Sequence, residues 1–187
     1  MSKPNILIRK ATQNDALMIA EAVGMAIGDG SIQGYCGENW LNVLAEVARL
    51  ESSQYSYNNA FIAEVDGTLA GAIVGYDGAQ LPTLRAQTLA VINKYNKIDV
   101  TIDETEPGEY YLDSLYVRPE YRKISVASKL IATFCQNAFN NGHQQVGLIV
   151  DFDNPSAEQL YTQIGFRRVG QRTFLGHKMW HLVYFQR

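Results

Sequence analysis

The chain has 187 residues, 47% of them apolar, and a formal net charge of −3, which gives enough apolar material for one substantial core and a single domain over 1–187. Mild acidity without a long basic stripe argues against nucleic acid as a partner. No run approaches the roughly 20 continuous apolar residues of a membrane span, nothing resembles the apolar core of a signal peptide, and Cys36 and Cys135 are too few for a secreted disulfide scaffold, so a cytoplasmic location is expected.

Asn5 to Lys10 reads as a strand, and Thr12 can cap a helix carrying Leu17, Ile19, Ala20 and Val23. A second helix is predicted from Asn39 to Glu51 with Leu41, Leu44, Ala45 and Ala48 inward. Phe61–Val65 and Thr68–Tyr76 flank Asp66-Gly67, a two-residue hairpin signal that makes these strands antiparallel. The stretch from Asp77 to about residue 108 is longer than a hairpin connection needs and is read as an insertion. Its middle, Leu81 to Tyr95, has helical spacing, and its remainder is acidic through Asp99, Asp103, Glu104 and Glu106. Such a rim would favour a cationic amine, though a solvated charge cluster needs no such purpose, and a peripheral helix that merely covers a sheet edge reads equally well.

A central strand follows near Glu109 to Val117, then a helix from Arg122 to about Asn141 with Gly142 as its stop. Gln145 to Val150 should run parallel to the central strand, because the intervening helix is a crossover. A helix from Asn154 leads to two final strands, Phe166–Phe174 and Lys178–Phe185, joined around Leu175-Gly176-His177. The order predicts an α/β fold with a mixed sheet. Neither cysteine has metal-ligand spacing, and no metal is expected.

Chemistry concentrates between Tyr110 and Lys129. Alternation puts Leu112, Ser114 and Tyr116 on one strand face and Asp113, Leu115 and Val117 on the other. Pro119 ends the strand near Val117. A helix starting just beyond a strand aims unpaired N–H groups outward, a ready site for a pyrophosphate. Arg118, Arg122, Lys123 and Lys129 stand there against Glu120 alone, and small residues at Ser125, Ala127 and Ser128 admit close approach of an anion. An ordinary amphipathic helix with a solvated basic edge remains the other reading.

Downstream, Asn154 is placed as an N-cap, Pro155 as the first helical residue and Gly165 as the C-terminal glycine. Ala157, Leu160, Tyr161 and Ile164 share one face, which sets Tyr161 among the inward residues.

Together these segments resemble the GNAT superfamily of acyl-CoA-dependent N-acyltransferases. Its pyrophosphate motif, R/Q-x-x-G-x-G/A after Val-x-Pro, is matched by Arg122-Lys123-Ile124-Ser125-Val126-Ala127 after Val117-Arg118-Pro119. Its Asn-x-x-Ala-x-x-Leu-Tyr-x-x-x-Gly-Phe signature is matched at Asn154, Ala157, Leu160, Tyr161, Gly165 and Phe166. The resemblance implies acetyl-CoA as acyl donor, with the backbone of Leu115, Tyr116 and Val117 pairing with the pantetheine arm. It further implies that Arg122 to Ser128, including Ile124 and Val126, hold the pyrophosphate, and that the Asn154 side chain reaches the pantetheine. Ser125 departs from the family's first motif glycine; its Cβ either hinders phosphate oxygens or forces a changed backbone angle, while its hydroxyl offers a donor.

Acyl transfer to an alkylamine of pKa about 10.4 needs a base or a water chain to expose the lone pair, and the departing thiolate needs a proton. The resemblance assigns the proton donor to Tyr161. Asp113 is the candidate base, with Glu109 as an alternative; His143, His177 and His181 read as structural. The acceptor is expected to be an amine-bearing small molecule or peptide, attacked directly in a ternary complex. A catalytically silent acyl-CoA-binding module and a nucleotide-phosphate enzyme are the rival readings, the second weakened by the lack of a Walker lysine loop. A homodimer through the final strands is possible.

Overall fold

The computed structural model describes residues 3–174 and 176–186; the Leu175 part of the expected final turn lies outside them. β1 (Ile6–Lys10) is followed by α1 (Ala16–Ile27), α2 (Asp29–Cys36) and α3 (Trp40–Ala48). Next come β2 (Ala60–Val65), β3 (Thr68–Asp77), α4 (Leu81–Ile92), β4 (Tyr110–Val117) and α5 (Val126–Asn140). β5 (Gln145–Asp151), α6 (Pro155–Ile164), β6 (Arg167–Phe174) and β7 (His177–Phe185) complete the order. The fold is mixed α/β, with one seven-stranded sheet in the order β1-β2-β3-β4-β5-β7-β6.

Local chemistry explains most of the element ends. Asp66 and Gly67 both take positive φ (49° and 79°), as the tight β2–β3 turn requires. The Thr12 N–H donates to the Asp15 carboxylate (2.8 Å), starting the turn that leads into α1. Gly165 closes α6 in the left-handed region at φ 119°. No described helix is long and apolar enough to cross a membrane.

Helices cover both faces of the sheet. Ile62, Ala72 and Val74 pack with Ile19, Val23, Leu44 and Ala48 of α1 and α3. On the other face, Ile73, Leu112 and Leu148 pack with Leu130, Ile131 and Phe134 of α5 and with Tyr161 of α6. Cys135 is buried among the latter set, and burial pushes its thiol up to about 12.

Four expectations need correction. α2 was not predicted, because Gly30 and Gly34 lower its intrinsic helicity; burial of Ile32 and Cys36 overrides that cost. Leu41 is exposed rather than inward, and Val43 and Val47 join Leu44, Ala45 and Ala48 on the buried face of α3. The helix expected from Arg122 begins at Val126, because Lys123 (φ 64°) and Ser125 (φ 71°) adopt left-handed backbone that no helix can contain. Finally, β4 does not alternate cleanly. Val74 of β3 stands opposite Ser114 and Gly75 opposite Leu112, so Asp113 is the extra residue of a β-bulge. Beyond it the pattern shifts, and Leu112, Leu115 and Val117 all pack on the α5 side while Tyr116 packs on the α1 side.

Candidate active site

β4 and β5 are parallel neighbours only at their starts, through Tyr110 with Val146 and Tyr111 with Gly147. Past that point they diverge, leaving the later part of β4 without a β5 partner. The gap opens into a cleft of ≈ 590 Å³ between the end of β4, the front of α5 and the start of α6. Leu115, Tyr116 and Val117 line one side, Arg122, Lys123 and Ser125 to Ser128 another, and Asn154, Ala157 and Leu160 a third. Every predicted cofactor residue except Ile124 is on this wall; Ile124 is 36% exposed and faces elsewhere.

The front of α5 is built to meet an anion. Its first intrahelical bond runs from Lys129 N–H to Ser125 C=O (3.1 Å), so the N–H groups just before Lys129 have no partner within the helix. The Ser125 backbone sits at φ 71°, ψ 16°, the conformation a glycine would take for free. The basic cluster is smaller than the sequence indicates. Arg118 is held by Glu21 of α1 (2.7 Å) and by the Leu69 carbonyl (3.1 Å). Arg122 donates through Nε to the Val117 carbonyl (3.0 Å), folding back on the strand end and occupying one backbone acceptor expected to face a ligand. The Asn154 Oδ1 caps α6 by accepting from Ala157 N–H (3.2 Å) and Ser156 Oγ (3.0 Å), which leaves its Nδ2 for other contacts.

Asp113 lies between the paired start of β4 and the cleft-lining Leu115. Its Oδ1 accepts from Ser114 Oγ (2.7 Å) and its Oδ2 lies 3.2 Å from the Tyr76 hydroxyl. Tyr76 also reaches Glu104 Oε1 (2.8 Å). The phenol has one proton, so it donates to one of the two carboxylates at a time. Burial, and next the Glu104 charge, push the Asp113 carboxyl up to about 7, against the pull of the Ser114 and Tyr76 hydrogen bonds.

Residues 35–166 match the sequence model of the acetyltransferase (GNAT) family. The chain belongs to that family. An acetyltransferase of known crystal structure is 31% identical over 96% of this chain and 98% of its own, with a TM-score of 0.81. An N-acetyltransferase from Staphylococcus aureus Mu50 is 22% identical over 95% of this chain and 100% of its own, with a TM-score of 0.78. YncA of Salmonella typhimurium, solved with acetyl-CoA, shares the fold at 16% identity over 97% and 94% of the two chains, with a TM-score of 0.63. No curated protein sequence matches significantly. The GNAT chain is thereby an acyltransferase enzyme.

Within this GNAT fold the two predicted catalytic side chains are placed differently. Neither is on the cleft wall: Asp113 is partly buried at the bulge, and Tyr161 is 8% exposed and packs edge-on against Phe166 (5.5 Å between centroids). Its neighbour Leu160 is on that wall. Burial, with the nearby Cys135, pushes the Tyr161 phenol well above the usual range. Glu109, the alternative base, is spent on structure: Oε1 accepts from Thr105 Oγ (2.7 Å), and Oε2 lies 2.6 Å from His181 Nε2 in a buried pair beneath Gly147. His143 packs against the Tyr110 ring (4.7 Å) and His177 pairs with Asp151 (2.9 Å). Among the described residues no group of three His, Cys, Asp or Glu is placed to hold a metal ion.

Sequence reasoning missed Tyr76, Gln54, Arg85 and the burial of Glu104. The expected acidic rim exists only in part. Asp103 is open to solvent, whereas Glu104 is 5% exposed and receives Arg85 (2.6 Å) and Gln54 (2.8 Å). Only Arg85, an isolated cation on a helix some twenty residues before an acidic run, signalled that pairing.

Proposed function

We propose that this acetyltransferase transfers an acetyl group from acetyl-CoA to a primary amine of a small molecule or peptide, by direct attack in a ternary complex. The observation that carries this reading is the diverging β4–β5 cleft, whose walls bring together the strand end, the α5 front and Asn154. The fit to the coenzyme is supported by the cleft's volume, the small side chains of Ser125, Ala127 and Ser128, and unpaired N–H groups at a helix front. When bound, acetyl-CoA supplies an activated thioester.

The chain's own residues do the rest. The backbone groups of Leu115 lie along the strand edge that β5 has vacated, free to align a linear ligand, whereas those of Tyr116 turn toward β3. N–H groups at the front of α5, with Lys123 and the terminal nitrogens of Arg122, offset phosphate charge. Asp113 takes the ammonium proton, its raised pKa matching the work of a base near neutral pH. Tyr161 keeps its proton at neutral pH and gives it toward the thiolate side. The YncA structure with acetyl-CoA, alike in fold, supports the choice of donor, and the family's tyrosine signature supports the role of Tyr161.

The test is isothermal titration with coenzyme A beside a thiol-release assay over an amine panel. Micromolar binding with amine-dependent release is expected; binding without release from any amine would leave a silent binding module, and absence of binding would end the reading. Ser125 gives a sharper check. Ser125→Gly should bind coenzyme A at least as tightly as the native chain, because glycine adopts the left-handed backbone without strain. Ser125→Val, β-branched at positive φ, should bind about tenfold or more weakly. Equal affinities for all three would mean that this backbone does not shape the site.

A further inference from the structure

A second cavity, of ≈ 50 Å³, lies between the N-terminal helices, α4 and the end of β6, and has no part in the scheme above. By the same measure one water needs about 10–15 Å³, so the space suits a small polar group of a few atoms. Tyr35, Tyr55 and Phe174 supply aromatic walls, and Gln54, Arg85 and Glu104 supply polar ones. Gln54 and Arg85 are only 3% and 9% exposed. Yet Gln54 Oε1 and Arg85 Nε have no hydrogen-bond partner among the described residues. Leaving such groups unpaired is costly, and a ligand can relieve it.

The orientation of both groups is fixed. Gln54 Nε2 donates to Glu104 Oε1 (2.8 Å) and to the Tyr76 hydroxyl (3.1 Å), so the amide oxygen is the atom turned away from the network. Arg85 spends its terminal nitrogens on Asp103 (2.7 Å), Glu104 (2.6 Å) and the Ile102 carbonyl (3.1 Å), leaving the Nε–H. The side chains that line the cavity thus hold one unpaired acceptor and one unpaired donor, each atom itself covered. A third group adds to the donors: the Tyr35 and Tyr55 hydroxyls share a single bond (3.3 Å), so one phenol hydrogen is left over.

Charge then selects among ligands. Arg85 already faces two carboxylates, and an incoming carboxylate would be a third anion around one cation. A neutral carboxamide offers the oxygen without the charge and brings an N–H as well. We infer that this cavity recognises a carboxamide on the amine acceptor, with its C=O accepting from Arg85 Nε–H and its N–H donating to Gln54 Oε1. The inference rests on the acetyl-transfer reading for the location of the amine. Gln54 bonded to Tyr76, and Tyr76 bonded to Asp113, link the carboxamide through two side chains to the proposed base.

Three probes of equal backbone length decide it: β-alaninamide, β-alanine and butylamine, compared at equal concentrations of free amine. Acetylation is followed by coenzyme A release, and binding is measured independently by titration in the presence of coenzyme A. β-Alaninamide is expected to exceed both others by about tenfold or more in binding and in kcat/KM. Gln54→Met should bring its advantage over butylamine close to unity with coenzyme A affinity kept; should that variant not fold, the native panel decides alone. Amide-selective binding without any acetylation would uphold the inference and sink the transfer reading. Acetylation of all three at equal rates and affinities would mean that water alone serves Gln54 and Arg85; that result, or a preference for β-alanine, overturns the inference while transfer stands. No binding and no turnover removes both.

Discussion

Asp113→Asn is expected to lower kcat/KM for the amine by about 10²–10⁴-fold and to erase the acid limb of its pH profile. In the native enzyme kcat/KM, expressed per free amine, should rise with pH and level off above an apparent pKa of about 7, because only the ionised carboxyl can accept a proton. Burial is the largest cause of that value and the Glu104 charge the next, so Glu104→Gln should move the limb to lower pH. Stability supplies an independent check. The folded carboxyl binds its proton more tightly than the ordinary value of 3.8, so native stability attributable to Asp113 is full below about pH 4 and is lost as pH rises through about 7. Asparagine carries no charge to bury. Asp113→Asn should therefore melt above the native protein at pH 8, by at least about 3 °C, and near it at pH 4. A native profile flat from pH 5.5 to 8.5, or an unchanged limb in the variant, would take the base role from Asp113.

What the sequence disclosed follows from the range of its signals. Asp66-Gly67, Pro119, Asn154-Pro155 and Gly165 act on their own backbone, and each marks an element end within a few residues of its place. The pyrophosphate and tyrosine motifs are contiguous, so they were legible too, and the fold set all but Ile124 of the predicted cofactor residues around one cleft. Non-local features were hidden. A bulge at Asp113 exists because β3 and β4 pair out of step, and a period-two pattern read on β4 alone cannot show it. Burial of Glu104 depends on Arg85, Gln54 and Tyr76 converging from three separate segments. Likewise Arg118, free cationic surface by sequence alone, is held by Glu21, 97 residues away.

Tyr161→Phe is expected to lower kcat by about 10²-fold with coenzyme A affinity and melting temperature nearly unchanged. The side chain has two possible uses. Its ring packs edge-on with Phe166 in the core beneath α6, and phenylalanine keeps that contact entire. Its hydroxyl has no described hydrogen-bond partner, and burial holds its proton firmly, so it is free to donate to a group brought by a ligand. A packing role predicts an unaltered rate; a donor role predicts a rate deficit that depends on the leaving group. The deficit should therefore shrink when acetyl is delivered from a thioester whose thiol is more acidic than that of coenzyme A, because a stable thiolate departs without needing a proton. A deficit of the same size for both donors would assign the hydroxyl to positioning, and no deficit would return Tyr161 to the core.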